Sequence, residues 1–174
     1  MSELGALEAP THQLSPIINN VPLGVLFLLF GGAVVGLFWG ARLAQFSGLL
    51  LMLHGLASIG AGLFACDPGC NPVEPSRDQM LHNLSGLVMF ASLTLANLLR
   101  VYLARERLGS AGFSWFSLAC LIVSLAVMPM MAAAVESGEA FGLYQRINYG
   151  VAAIWLGRLA WILTRMQRAP LAVL

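Results

Sequence analysis

The feature that most constrains this fold is a series of long segments with almost no charged side chains. A helix that crosses a membrane needs about 20 mostly apolar residues. Five segments reach or approach that length, at 21–41, 43–65, 80–99, 108–135 and 147–164. Of the 174 residues, 59% are apolar and 10% are charged, whereas about 25% are charged in an ordinary soluble domain. The sequence therefore predicts an all-α, polytopic transmembrane bundle with five spanning helices.

The positions of the arginines predict the direction in which the helices cross the membrane. The segments on one side hold Arg42, Arg100, Arg105, Arg107, Arg165 and Arg168, and those on the other side hold only Arg77 and Arg146. Because cytoplasmic loops are enriched in basic residues, we expect the N-terminus outside and the C-terminus inside. The expected organisation is an outer N-terminal segment at 1–20, a transmembrane domain at 21–168 and a short cytoplasmic tail at 169–174.

Small residues in the first segment point to close packing between helices. This segment contains Gly32, Gly36 and Gly40 at four-residue spacing. Such a stripe lets two backbones approach closely, which favours helix association in a membrane. It predicts packing within the bundle or, alternatively, a homodimer. The other expected partners are membrane lipid and a second membrane protein. Nucleic acid is excluded, since the net charge is +1 and no basic run contains interleaved aromatic residues.

The loop after the second segment reads Cys-Asp-Pro-Gly-Cys at 66–70. A central Pro-Gly pair favours a type II turn, which brings the flanking residues together. The loop is expected to face an oxidising compartment, where disulfides persist. We therefore predict a disulfide between Cys66 and Cys70. The loop offers too few ligands for a zinc site and its spacing is not that of a C-x-x-C redox motif, so we expect no metal and no cofactor.

Polar side chains expected on the outer side form the candidate ligand-binding site. The outer loops and helix ends contain Asp67, His82 and Arg146, with Asp78 nearby. Two interpretations stay open. Either His82 and Arg146 contact an anionic ligand, or Asp67 pairs with Arg146 and holds the loops together. His54 lies in the middle of a spanning segment, where an ionisable residue is a functional candidate. The alternative is a neutral histidine that is hydrogen-bonded within the bundle.

Three stretches resemble a known family: SELGA at 2–6, CDPGC followed by His82, and GLYQRINYGVAAIW at 142–155. In this order, and over nearly the whole chain, they resemble the domain-of-unknown-function 998 (DUF998) family of prokaryotic membrane proteins. The resemblance implies six helices, one of them before the SELGA-like segment. This chain is therefore expected to lack the usual first helix, or to have a start codon assigned too late. The resemblance implies no established activity, but it places Asp67, His82 and Arg146 at motif positions.

These features predict a non-enzymatic, multi-pass protein of the bacterial inner membrane. It is expected to bind a lipid or small anion at its outer face, or to act as an accessory subunit of a membrane complex. One alternative is an intramembrane lipid hydrolase, with His82 as base and Asp67 or Asp78 as orienter, although no HxxxH pair is present to hold a metal. The other is a small transporter, for which no inverted repeat gives support. No catalytic residue is assigned.

Overall fold

The computed structural model describes residues 2–137 and 139–168, with the backbone but not the side chain of Arg168. The long helices are α1 (Val21–Leu37), α2 (Arg42–Leu63), α3 (Arg77–Leu108), α4 (Ala111–Ser137) and α5 (Phe141–Arg168). Short 3-10 turns lie at Ser2–Gly5 and Pro68–Cys70, and a π-helical turn at Pro16–Asn20 leads into α1. The described residues contain no β-strand. The tail predicted at 169–174 lies outside them.

All of these long helices have the composition of membrane spans. In the described part of the chain, five helices are long and apolar enough to cross a membrane. Many of their apolar side chains face outward, as at Leu29, Leu63 and Leu87, which are 67%, 71% and 62% exposed. Lipid is the solvent that accepts such a surface, whereas water would not. The protein is therefore an all-helical, multi-pass membrane protein, as the sequence predicts.

Two helices are longer than the predicted segments at 80–99 and 147–164. α3 continues to Leu108 and includes Arg100, whose side chain is fully buried. A helix need not end where its apolar run ends, because the backbone hydrogen bonds continue through polar residues. Arg105 and Arg107 lie in the last turn of α3, where cations interact favourably with the partial negative charge of the helix C-terminus.

The chain divides into two compact units, the first ending at Leu99 and the second beginning at Arg100. In the first unit, α1 and α2 form a hairpin across a turn at 38–41. Gly40 adopts a φ of +83° in this turn, a conformation that only glycine adopts without strain. Arg42, which lies between the predicted segments at 21–41 and 43–65, is the first residue of α2.

Glycines hold α1 and α2 in close contact at two levels. A Cβ atom on Gly24 would lie 2.6 Å from the carbonyl oxygen of Gly55, and one on Gly31 would lie 2.6 Å from that of Gly48. The reverse contacts are equally short, at 2.6 Å for Gly55 against Gly24 and 2.8 Å for Gly48 against Gly31. The partner atoms belong to backbone and cannot rotate away. Glycine is therefore required at all four positions.

The stripe noted in the sequence does not make these contacts. Among the described residues, no atom beyond the adjacent backbone of α1 lies within 4 Å of a Cβ atom built on Gly32 or Gly36, and Gly40 lies in the turn. The contact between α1 and α2 therefore depends on Gly24 and Gly31 instead. Association of a second copy through Gly32, Gly36 and Gly40 stays a proposal.

In the second unit, hydroxyl groups and one tryptophan connect neighbouring helices. The Trp155 ring is fully buried and its Nε1–H donates to Ser117 Oγ at 3.0 Å, which joins α5 to α4. Ser114 of α4 donates its hydroxyl to the carbonyl oxygen of Val101 in α3. Inside a membrane the hydrophobic effect does not drive helices together, because lipid tails are as apolar as the side chains. Hydrogen bonds between helices therefore contribute to their packing.

Candidate functional site

The loop between α2 and α3 closes on itself through a tight turn. The Cys70 N–H donates to the Asp67 carbonyl oxygen at 2.8 Å. Gly69 has φ 74° and ψ −4°, the values for the third residue of the type II turn that Pro-Gly predicts. The turn brings the Cα atoms of Cys66 and Cys70 to 5.1 Å, with their sulfur atoms joined. The disulfide between Cys66 and Cys70 stays a prediction for the protein in the cell, and its test is given below.

Asp67 caps the start of α3. Ser76 precedes the helix, and its Oγ accepts a hydrogen bond from the Gln79 N–H at 3.1 Å. In a capping box the residue at the Gln79 position would bind back to the Ser76 N–H. Here the Asp67 carboxylate takes that role, at 2.9 Å from Ser76 N and 2.6 Å from Ser76 Oγ. The Gln79 Oε1 accepts from the Asp67 N–H instead, at 2.8 Å.

These contacts determine the charge state of Asp67. The hydrogen bond from the Ser76 hydroxyl, followed by that from the Ser76 N–H, lowers the pKa of the Asp67 carboxyl below its usual value, while partial burial opposes the shift. The carboxylate therefore stays ionised at neutral pH. It also lies at the start of a helix, where a negative charge is favourable.

His82 caps the end of α2 in a corresponding way. Its Nδ1 lies 3.1 Å from the Ala61 carbonyl oxygen and 2.9 Å from that of Phe64. A carbonyl oxygen only accepts, so Nδ1 carries the proton and donates to both. The last carbonyls of a helix otherwise have no partner within it. We call Asp67, Ser76, Gln79 and His82 the cap cluster.

The N-terminal residues fold onto the loop that contains Asp67. The Leu7 N–H donates to the Cys66 carbonyl oxygen at 2.9 Å. Within the segment, Thr11 Oγ1 donates to the Leu4 carbonyl oxygen at 2.6 Å and His12 Nδ1 lies 3.1 Å from that of Gly5. Cys66 is completely buried as a result. The N-terminal segment therefore packs against the loop at 66–70, beside the cap cluster.

Arg146 belongs to the second unit and lies in the second turn of α5. Its side chain is exposed, and its Nη1 lies 3.3 Å from the position of a Cβ atom on Gly142. In the described part of that unit, Glu106 and Arg107 form an ion pair at 3.3 Å, but Arg146 has no carboxylate partner. Asp67 and His82 lie in the first unit, so their convergence with Arg146 stays a prediction.

His54 is a buried histidine with one satisfied ring nitrogen. It is 3% exposed, its Nδ1 lies 2.9 Å from the Met89 carbonyl oxygen, and its ring centroid is 4.1 Å from that of Phe27. Its Nε2 has no hydrogen-bond partner among the described residues. The histidine thus connects α2 to α3, in agreement with the hydrogen-bonded alternative.

The geometry bears on which chemistry the cap cluster can carry out. In a Ser-His-Asp triad, the Nδ1–H of the histidine base is held by an orienting carboxylate. His82 donates this hydrogen to helix carbonyls, and both oxygens of Asp67 are bound to Ser76. Among the described residues, no group of three or more His, Cys, Asp or Glu side chains lies close enough to hold a metal ion. The observed contacts of Asp67 and His82 thus join the end of α2 to the start of α3.

Comparison with known protein families identifies a match over most of the chain. The family model described as "Protein of unknown function (DUF998)" matches residues 1–162. The chain matches no curated protein and no solved structure. The family match confirms the resemblance that SELGA, CDPGC and GLYQRINYGVAAIW indicate. Because it covers most of the 174 residues, the chain belongs to the DUF998 family of proteins of unknown function.

Proposed function

We propose that this protein is a non-enzymatic protein of the bacterial inner membrane that binds a lipid head group or small anion at its outer face. The observation that supports this proposal is the exposed guanidinium of Arg146, without a carboxylate partner in the described part of its unit. A guanidinium presents a planar fork of donors that matches phosphate and carboxylate groups. Near a membrane boundary, where the dielectric constant is low, its attraction for an anion is stronger than in water.

Two members of the cap cluster, Asp67 and His82, have different roles in this proposal. Asp67 carries a negative charge and is already bound to Ser76, so it would keep the outer loop in place and would not contact an anion. His82 uses Nδ1–H for the carbonyl oxygens of Ala61 and Phe64, so its Nε2 would contact the anion only in the doubly protonated ring, in which both nitrogens donate. The hydrolase alternative loses support because His82 and Asp67 are both engaged in helix capping.

A second candidate function is that of an accessory subunit in a membrane complex. The open space beside Gly32 and Gly36 favours it, since small residues allow another helix to approach closely. Copurification of a stoichiometric membrane-protein partner, lost on changing Gly32 to leucine, would support this function over anion binding.

The orientation and the disulfide can be tested in one labelling experiment. In intact spheroplasts, a membrane-impermeant maleimide should leave the protein unlabelled until an impermeant reductant is added. Cys70 should then react first, because Cys66 is fully buried. Cys120 is buried within α4 and should stay unlabelled, as a variant with both loop cysteines changed to serine would verify. Labelling without reductant would exclude the disulfide, and labelling only after lysis would place the loop in the cytoplasm.

Removing the Arg146 guanidinium should weaken anion binding. We expect Arg146→Ala to bind one phosphatidylglycerol molecule fewer, with an affinity at the outer site at least about tenfold weaker, the effect of losing a hydrogen bond between charged groups. Arg77→Ala is the matched control, since Arg77 is also exposed and expected on the outer side. The measurement is native mass spectrometry of the purified protein titrated with this lipid. Equal effects of the two substitutions would mean that only net charge matters, and the proposed site would be wrong.

A further inference from the structure

A groove near the C-terminal end of α5 combines side chains that take no part in the site proposed at Arg146. It has a volume of about 470 Å³ and is lined by Arg158, Trp161, Ile162, Arg165 and Met166. All of these residues lie on one helix, within the last three turns. The groove thus combines two cations, one aromatic ring and two apolar side chains on a single helix face.

The two arginines face the same groove for geometric reasons. They are separated by seven residues, which is close to two helical turns and places them on the same side of the helix. Arg165 lies with its Cζ 4.6 Å from the centroid of the Trp161 ring. Its side chain is therefore folded back along the helix toward Arg158, the direction in which helical side chains lean.

Electrostatics makes this arrangement unfavourable without a ligand. Two guanidinium groups line the groove, and no carboxylate is among the residues that line it. Both arginines are exposed, and Arg158 lies about 10 Å further into the apolar span than Arg165, at about 1.5 Å per residue. A charged side chain facing lipid at that depth is costly unless it finds a counter-charge. An anion in the groove would offset both costs.

The neighbouring side chains indicate what carries the anion. Trp161 is 53% exposed, and a half-exposed tryptophan is typical of the boundary between lipid head groups and acyl chains. Ile162 and Met166 provide an apolar wall beside the arginines. A free inorganic anion would use only the cations, whereas a phospholipid would use the cations and the apolar wall together.

We infer that this groove is a binding site for a phospholipid, with Arg158 and Arg165 contacting its phosphate and Ile162 and Met166 contacting its acyl chain. Two cations repel a cationic choline group, so the site selects an anionic head group such as that of phosphatidylglycerol. The site is separate from the one proposed at Arg146, and binding at either does not require the other.

The test is lipid binding by the full chain, measured by native mass spectrometry. The variant Arg158→Gln/Arg165→Gln should bind one phosphatidylglycerol molecule fewer than the unmodified protein, with an affinity at this site at least about tenfold weaker, because bidentate guanidinium–phosphate contacts are lost. The matched control is Arg105→Gln/Arg107→Gln, which removes the same charge and also includes an arginine near a tryptophan, with Arg105 Cζ 5.5 Å from the Trp115 ring. The control should bind as the unmodified protein does.

Two further variants and two other ligands also test the inference. Arg158→Lys/Arg165→Lys keeps both positive charges and removes the guanidinium forks. Its affinity for phosphatidylglycerol should be lower than that of the unmodified protein and higher than that of the glutamine variant. The comparison with the unmodified protein still tests the site if the glutamine variant fails to fold. Arg146→Ala should leave this site unchanged. Equal loss in the control, equal binding of phosphatidylcholine, or displacement of the lipid by millimolar inorganic phosphate would each overturn the assignment.

Discussion

Replacing Gly31 with alanine should disrupt the α1–α2 hairpin, whereas the same change at the adjacent Gly32 should be harmless. The new Cβ atom at Gly31 would lie 2.6 Å from the Gly48 carbonyl oxygen and 2.8 Å from the Met52 nitrogen. Because both are backbone atoms, the helices would have to separate, at a cost of about 3 kcal/mol. A Cβ atom at Gly32 would have no atom of another described helix within 4 Å, and the better helix propensity of alanine should stabilise the protein by up to about 1 kcal/mol.

The measurement is thermal unfolding of the purified variants in the same detergent. Gly48→Ala should resemble Gly31→Ala, since it forms the other half of the same contact. Similar melting temperatures for the Gly31 and Gly32 variants would show that the helices are not packed in this register. The oligomeric state of the same samples would separately show whether Gly32 contributes to a dimer.

The second large effect is expected at Trp155, in the other unit. Trp155→Ala should destabilise the protein by about 3–5 kcal/mol, the range for truncation of a large buried aromatic side chain. Trp155→Phe should cost less, about 1 kcal/mol for the lost hydrogen bond to Ser117 plus a smaller void. Trp115 is 62% exposed, so Trp115→Ala serves as the control.

Thermal unfolding and chemical denaturation would both report these differences. We expect the order Trp115→Ala, Trp155→Phe and Trp155→Ala, from the smallest to the largest loss of stability. A loss for Trp115→Ala as large as that for Trp155→Ala would contradict the burial of Trp155 between α4 and α5.

The existence of the helices could be predicted from sequence, but the register between them could not. A run of apolar residues is a local property, and lipid requires it to be helical. The choice of packing face is not local. Gly32, Gly36 and Gly40 have the more familiar spacing, yet the contacts use other glycines. The signal that would have found them is a pair seven residues apart, Gly24 and Gly31, matched by Gly48 and Gly55 across the turn.

The candidate site likewise has local features that could be predicted from the sequence and contacts between distant residues that could not. The Pro-Gly turn at 68–69 follows from local chemistry and was predictable. The Ser-x-x-Gln signature of Ser76 and Gln79 was also readable as a capping box. What the sequence could not indicate is that Asp67 replaces the Gln79 side chain in it, because that contact connects residues nine positions apart. The role of His82 was missed for the same reason, since its partners are carbonyl groups at Ala61 and Phe64.

The exchange of caps between α2 and α3 has a consequence for how the chain is inserted. Asp67 follows α2 yet completes the start of α3, and His82 belongs to α3 yet completes the end of α2. Sliding one helix past the other by a single turn, about 5.4 Å, would break both caps together and leave bare peptide groups at the edge of the lipid. The two caps therefore fix the position of α2 along α3, and we expect the two spans to shift in the bilayer only together.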